Sequence, residues 1–448
     1  MRKLVWVVAL PLAAVLVACS SCSDDTSTAD ASTDTDADAD ADTDTDTDTD
    51  SDTDTDTDTD GDTATDTGSD SDSDTDTDTD SDGGADTDTD SDGDLPPGCV
   101  FVDSVDPEAW QGSNGVYADI IVWRRFNSES LCHELKVRHL STGITTIIDA
   151  DPALEEHPTI WGNWVYWEEE IGSDWSSREA FRMDLSEFLP QQLTNNTCSD
   201  AKIRGGEEFF LHRQNCDGGD NYPLYFTSLT ASVSAEITPD CVSPPGTAGL
   251  IFDGVRYVAW GWHNEDLGGN DLIYLFDIEN PTTSSEPLYP DALGQAGGVI
   301  ADGKIFAMTY DVGITEGWDV WIYDIESEMM YWLDHSPWDQ VMPVVSGNVV
   351  AYLDTEELES SFYTNGGISN IELKDLETGV TNQVTTESGD WGPLAISGKY
   401  LVFLHDLYYL IACDLEAGGF VDAAGHVCPP TGCPDVDAGV DGGTDSGK

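Results

Sequence analysis

The chain has 448 residues and a formal charge of −73, with 89 Asp and Glu against 16 Lys and Arg. A chain this acidic is excluded from nucleic-acid binding through phosphate contacts; it stays soluble and gathers cations. The charge splits unevenly: 31 Asp and no Lys or Arg lie between Ser23 and Asp94, and about −44 remains beyond residue 94.

The amino terminus, MRKLVWVVALPLAAVLVACS, starts with Arg2 and Lys3 and continues as an apolar run of signal-peptide length. The run is short for a membrane span, and no later stretch qualifies. Leu16-Val17-Ala18-Cys19 resembles the lipobox of bacterial lipoproteins. The resemblance implies removal of residues 1–18 and diacylglyceryl attachment at Cys19, so that buried acyl chains anchor the protein to a membrane. Ser20, not Asp, follows the Cys, which in the enterobacterial sorting pattern implies the outer membrane, with the protein periplasmic or surface-exposed.

Residues 19–95 are nearly all Thr-Asp and Ser-Asp dipeptides. Such a segment cannot bury enough apolar surface to offset its ordering entropy, and it reads as a disordered acidic stalk. Asp56–Gly61 and Asp88–Gly93 match the first half of a calcium loop but lack its closing Glu. Weak, diffuse divalent-cation binding is expected there, and no specific metal site. The many hydroxyls are also candidates for O-glycosylation.

From residue 96 the chain repeats. DIIVW after Ala118, NWVYW after Gly162, EEFFL after Gly206, VRYVAW after Gly254, KIFAM after Gly303, NVVAY after Gly347 and KYLVF after Gly398 recur every 44 to 51 residues. Each is followed by a third apolar segment and, in most copies, a short fourth one, such as TTIID, PQQLT, EPLY or NQVTT. β-branched and aromatic enrichment with Gly, Asp and Asn turns predicts strands. Seven units of four strands predict an all-β, seven-bladed β-propeller over 96–433, followed by a disordered acidic tail at 434–448.

The motif itself resembles the TolB-type propeller repeats of prokaryotic cell-surface proteins. Pro343-Val-Val-Ser-Gly347, Val349-Val-Ala-Tyr352, Ile371-Glu-Leu-Lys-Asp-Leu-Glu-Thr-Gly379 and Gln383-Val-Thr385 follow their pattern, over roughly residues 100 to 420. Copies two, six and seven match best; in copy three Ser228 replaces the strand-three Asp. The resemblance implies a fold and an extracytoplasmic scaffold role. It carries no catalytic residues, because the repeat motif is structural. Asp184, Asp277, Asp324, Asp375 and Asp414 are expected to bond backbone N–H groups in the turns that follow them.

Cysteine usage fits an oxidising compartment. Eight cysteines remain beyond Cys19 and Cys22. Cys216 is placed to pair with Cys198 or Cys241. CVFVDS precedes copy one and has strand alternation, whereas the last copy lacks a good fourth strand. Val100 to Asp103 is therefore expected to complete the last blade, with Cys99 near Cys413.

Three enzyme signatures are missing from the sequence: GxSxG, HExxH and the sialidase Asp-box. His157, His212, His263, His335 and His405 are scattered over different copies. No cofactor is expected. Connections between strands two and three, and those entering strand one, gather on one face and carry Trp beside an acid. Trp175, Trp262 with His263, Trp318, Trp338 and Trp391 are the candidate binding residues: an apolar plane for stacking, an acid for hydroxyls or cations. The competing reading packs these rings between blades. The expected function is a non-catalytic binding or scaffold module for a protein or polysaccharide; the alternative is a carbohydrate-active lyase or hydrolase using the same face.

Overall fold

The computed structural model describes residues 95–433 except for the connections 106–114, 129–131, 150–154, 172–176, 217–222, 238–249, 265–269, 281–294 (287 and 288 apart), 312–316, 356–368 and 386–388, and a few single positions. Seven antiparallel sheets follow one another along the chain, one per repeat. In blade 2, Glu155–Trp161 is the inner strand, followed outward by Trp164–Glu170, Arg178–Asp184 and Leu189–Gln192. The other repeats follow the same order, which makes the domain a seven-bladed propeller. Blade 4 shows three strands among the described residues. Where EPLY predicted a fourth, Leu288 N–H donates to Ile273 O at 2.9 Å, and Glu286 and Tyr289 lie outside the described residues.

The sheets pack face to face, so each core cluster is shared between neighbouring blades. Between blades 1 and 2, Val122, Leu135 and Val137 meet Ile160, Val165, Trp167 and Met183. Trp123, Trp167 and Trp260 hold the same repeat position at the end of the strand-two motif and are fully buried.

The strand-one to strand-two turn needs a left-handed residue. Gly162, Gly254, Gly303, Gly347 and Gly398 supply it with φ of 57° to 81°. In blade 1, Ala118 takes the same conformation at φ 52°. A residue with a Cβ pays about 1–2 kcal/mol there, and glycine returns about 0.5–1 kcal/mol of that through its looser unfolded state. Ala118→Gly is expected to stabilise the domain by about 0.5 kcal/mol, read as a higher urea midpoint at unchanged slope. Gly206 differs: its φ is not positive, and a Cβ there would sit 2.4 Å from Gly254 O. Copy three keeps its glycine for close approach to blade 4.

The strand-three acids cap their turns. Asp184 Oδ1 accepts from Ser186 N–H (2.8 Å), Asp277 from Glu279 (3.0 Å), Asp324 from Ser327 (2.9 Å), Asp375 from Thr378 (2.8 Å) and Asp414 from Ala417 (3.0 Å). Ser228 does the same work in blade 3, accepting from Ala231 N–H at 3.1 Å.

The ring closes through its two ends. Cys99–Ser104 lies antiparallel on Tyr409–Asp414 as the outer strand of blade 7, with Cys99 opposite Cys413, and the two are disulfide-bonded. Asp103, on that strand, accepts from Trp123 Nε1 (3.1 Å), Arg125 Nη1 (2.7 Å) and Lys136 Nζ (3.2 Å), tying blade 7 to blade 1. Beyond Asp414 the chain turns back: buried Asp375 accepts from His426 Nδ1 (3.0 Å) and Val427 N–H (3.1 Å). Cys428 is bonded to Cys433.

Candidate binding site

Two neighbourhoods stand out at the end of the propeller opposite the glycine turns. One is aromatic and acidic. Trp318 opens the third strand of blade 5 (Gly317–Asp324), and Trp338 directly precedes the inner strand of blade 6 (Asp339–Ser346). Asp339 Oδ1 joins them by accepting Trp318 N–H at 2.6 Å. Trp318 is partly buried with Tyr310 edge-on to it, 5.7 Å between centroids. Trp338 is 41% exposed. Ser336 Oγ receives Trp338 N–H at 3.0 Å and reaches toward Asp354 Oδ1 at 3.4 Å. Burial, then the charge of Glu372, push the Asp354 carboxyl up to about 6. This patch therefore takes up a proton in a mildly acidic medium.

The other candidates are placed differently. Trp391 is 8% exposed and packs into the core between blades 6 and 7. It lies on His405 with 4.4 Å between centroids and meets Phe403 edge-on, so it offers no face to a ligand. Trp262 and His263 lie in the second strand of blade 4, opposite Leu272 and Asp271; their side chains lie outside the described residues. Trp175, Cys19 and Cys241 lie outside the described residues altogether. Cys198 is bonded to Cys216.

The second neighbourhood is cationic and has no counterpart among the sequence candidates. A cavity of about 350 Å³ between blades 2 and 3 is lined by His157, Glu168, Arg178, Lys202 and Arg213. A bulge in each inner strand builds it: register shifts between Glu156 and Thr159 and between Ala201 and Arg204. His157 and Lys202 sit in these bulges with φ 51° and 55°. Met342 takes the same conformation in blade 6, so the bulge belongs to the repeat; the polar side chains it aims are particular to blades 2 and 3.

Glu168 is buried at the centre. His157 Nδ1 donates to its Oε1 at 3.2 Å, and Arg178 Nη1 stands 3.6 Å from its Oε2. Lys202 Nζ stands 3.0 Å from His157 Nε2, on the other side of the ring. Burial alone would raise the Glu168 carboxyl; the His157 bond and the charges of His157, Lys202 and Arg178 outweigh it and hold it below the usual range. Arg204, buried nearby, is lowered to about 10 by burial, against the pull of Glu168 and with the push of Arg213. The available sequence signal was distribution: nine of the thirteen Lys and Arg between residues 95 and 433 fall between Arg124 and Arg213.

Next to this cavity, Asp200, His212 and Thr227 form an acid–imidazole–hydroxyl chain. His212 Nδ1 meets Asp200 Oδ1 at 2.8 Å and its Nε2 meets Thr227 Oγ1 at 3.0 Å; Thr227 continues to Ser234 Oγ at 2.8 Å. With His212 only 2% exposed, the chain ties the four strands of blade 3 together as a polar network.

No protein-family model and no curated protein matches this sequence. Solved structures do. A puromycin hydrolase (S511A mutant complexed with PGG) is similar at 14% identity and TM-score 0.51, covering 72% of this chain and 56% of that one. The tricorn protease is similar at 11% identity and TM-score 0.50, covering 72% and 35%. TolB from Acinetobacter baumannii matches at 16% identity and TM-score 0.40, covering 65% and 64%. The likeness is one of fold. This chain thus spans less than two thirds of the length of each of these proteins, and the propeller's ligand has to be argued from its own residues.

Proposed function

We propose that the chain is a cell-envelope lipoprotein, held to the outer membrane through Cys19, whose propeller is a non-catalytic binding module for a protein or envelope glycan. The observation that supports this reading most is the pairing of half-open Trp338 with Asp339 and Trp318 at one end of the propeller. An exposed indole beside a carboxylate suits sugar rings and peptides: one face for stacking, one group for hydroxyls or N–H donors. Asp339 is already held by Trp318 N–H, so this surface is organised before any ligand arrives, which lowers the entropic cost of binding.

The test is an array of bacterial envelope glycans and peptides probed with the full chain, with the retained ligand analysed after incubation. A ligand recovered unchanged, bound about tenfold or more weakly by Trp338→Ala, is the expected result. Conversion of the ligand at catalytic turnover would favour the carbohydrate-active enzyme instead. Absence of retention across both arrays would end the binding reading.

A further inference from the structure

We propose that the cavity between blades 2 and 3 binds a free carboxylate carried next to an N–H donor, as at the C-terminus of a peptide or in a free amino acid. It lies apart from the Trp338 surface, and neither reading depends on the other.

Arg213 is the first reason. It lies on the second strand of blade 3 (Phe209–Asn215) and faces the cavity. Its Nε is sealed from solvent without a hydrogen-bond partner. Glu168 influences it only from a distance, and burial lowers its pKa. A guanidinium in that position is an expensive group unless something accepts from it. The planar fork suits a carboxylate, which it can take through two parallel hydrogen bonds.

Glu168 is the second reason. Its Oε1 is committed to His157 and to Lys202 N–H, whereas Oε2 is hidden from solvent and has no hydrogen-bond partner, with Arg178 Nη1 beyond hydrogen-bond reach at 3.6 Å. The cavity thus offers a cationic fork and a carboxylate oxygen in need of a donor. That combination selects a ligand with an acceptor end and a donor end. Glu168 stays ionised, so a dianion such as phosphate would meet a fixed negative charge. The protein's own charge points the same way. A chain at −73 repels a bare anion at long range but is indifferent to a zwitterion. The volume, about 350 Å³, lies at the small end of ligand pockets.

The test is isothermal titration calorimetry of the full chain with glycylglycine, glycylglycinamide and glycine. Glycylglycine should bind and its amide at least about tenfold more weakly, a difference of about 1.4 kcal/mol. Glycine binding as well as the dipeptide assigns the site to free amino acids; dipeptide binding alone assigns it to peptide ends. Arg213→Gln should weaken dipeptide binding by at least about tenfold while its thermal midpoint holds or rises, because a guanidinium with a sealed, unbonded Nε costs stability. Should that variant not fold, the acid–amide comparison in the unaltered chain still decides. Equal binding of acid and amide, or no heat with glycylglycine up to about 10 mM, overturns the proposal.

Discussion

Replacing Cys99 and Cys413 together by Ser is expected to lower the stability of the propeller by about 2–5 kcal/mol. The bond joins residues 314 apart in sequence, so it restricts nearly the whole domain in the unfolded state. Chain-entropy models put such long loops at the upper end of disulfide effects. Cys413 is fully buried, and the closing strand Cys99–Ser104 keeps its backbone pairing to Tyr409–Asp414 in the variant. The native fold should therefore survive, with a lower calorimetric midpoint and faster amide exchange in the closing strand. Exposed edges of blades 7 and 1 would add a tendency to associate. An unchanged midpoint with unchanged exchange would mean that backbone pairing and the Asp103 contacts close the ring unaided.

The second large effect is expected at Glu168. Glu168→Ala removes the one carboxylate that His157, Arg178 and Lys202 share in the described cavity, and leaves buried cations uncompensated. Breaking a buried pair from one side costs about 3–5 kcal/mol. Arg213→Gln in the same chain should recover part of that loss, since the two residues share one field, and a double-mutant cycle reads the coupling. The pH dependence has a defined sign. The folded carboxyl sits below its usual 4.5, so its contribution is fully present above that value and fades as pH falls through the lower folded pKa. Below pH 4.5 the wild type should approach Glu168→Gln in stability, and above it the gap should be constant. A gap that widens on acidification would show that the network does not hold Glu168 ionised.

Much of the architecture was readable from the repeat. A glycine followed by a short apolar strand occurs in phase six times and Ala118 fills the seventh place; five of the glycines and Ala118 serve one left-handed turn, and Gly206 serves a close approach. The closing strand was readable because CVFVDS had alternation and no place in any copy. The fourth strand expected in blade 4 falls on EPLY, of which Pro287 and Leu288 alone belong to the described residues. The site was less readable. Trp391 has an acid before it and looked like a surface ring, yet it packs on His405 and Phe403 inside blade 7. The cationic cavity escaped because its residues come from five strands of two repeats. The bulges at His157 and Lys202 also break the two-residue alternation by which a strand's facing is read. Cations far apart in the chain become neighbours only once the blades are set side by side.

Tension between the two ends of this chain would follow an unusual route. The Cys99–Cys413 bond joins the first strand of the ring to the last, so a pull from before Cys99 passes across the sulfurs straight to Asp414 and onward. The 313 residues between the two cysteines form a side loop that carries no load. What yields first is then the segment after Asp414, pinned by the bonds from His426 and Val427 to Asp375, and not the seven sheets. The blades and both candidate surfaces would keep their geometry while the ends are stretched.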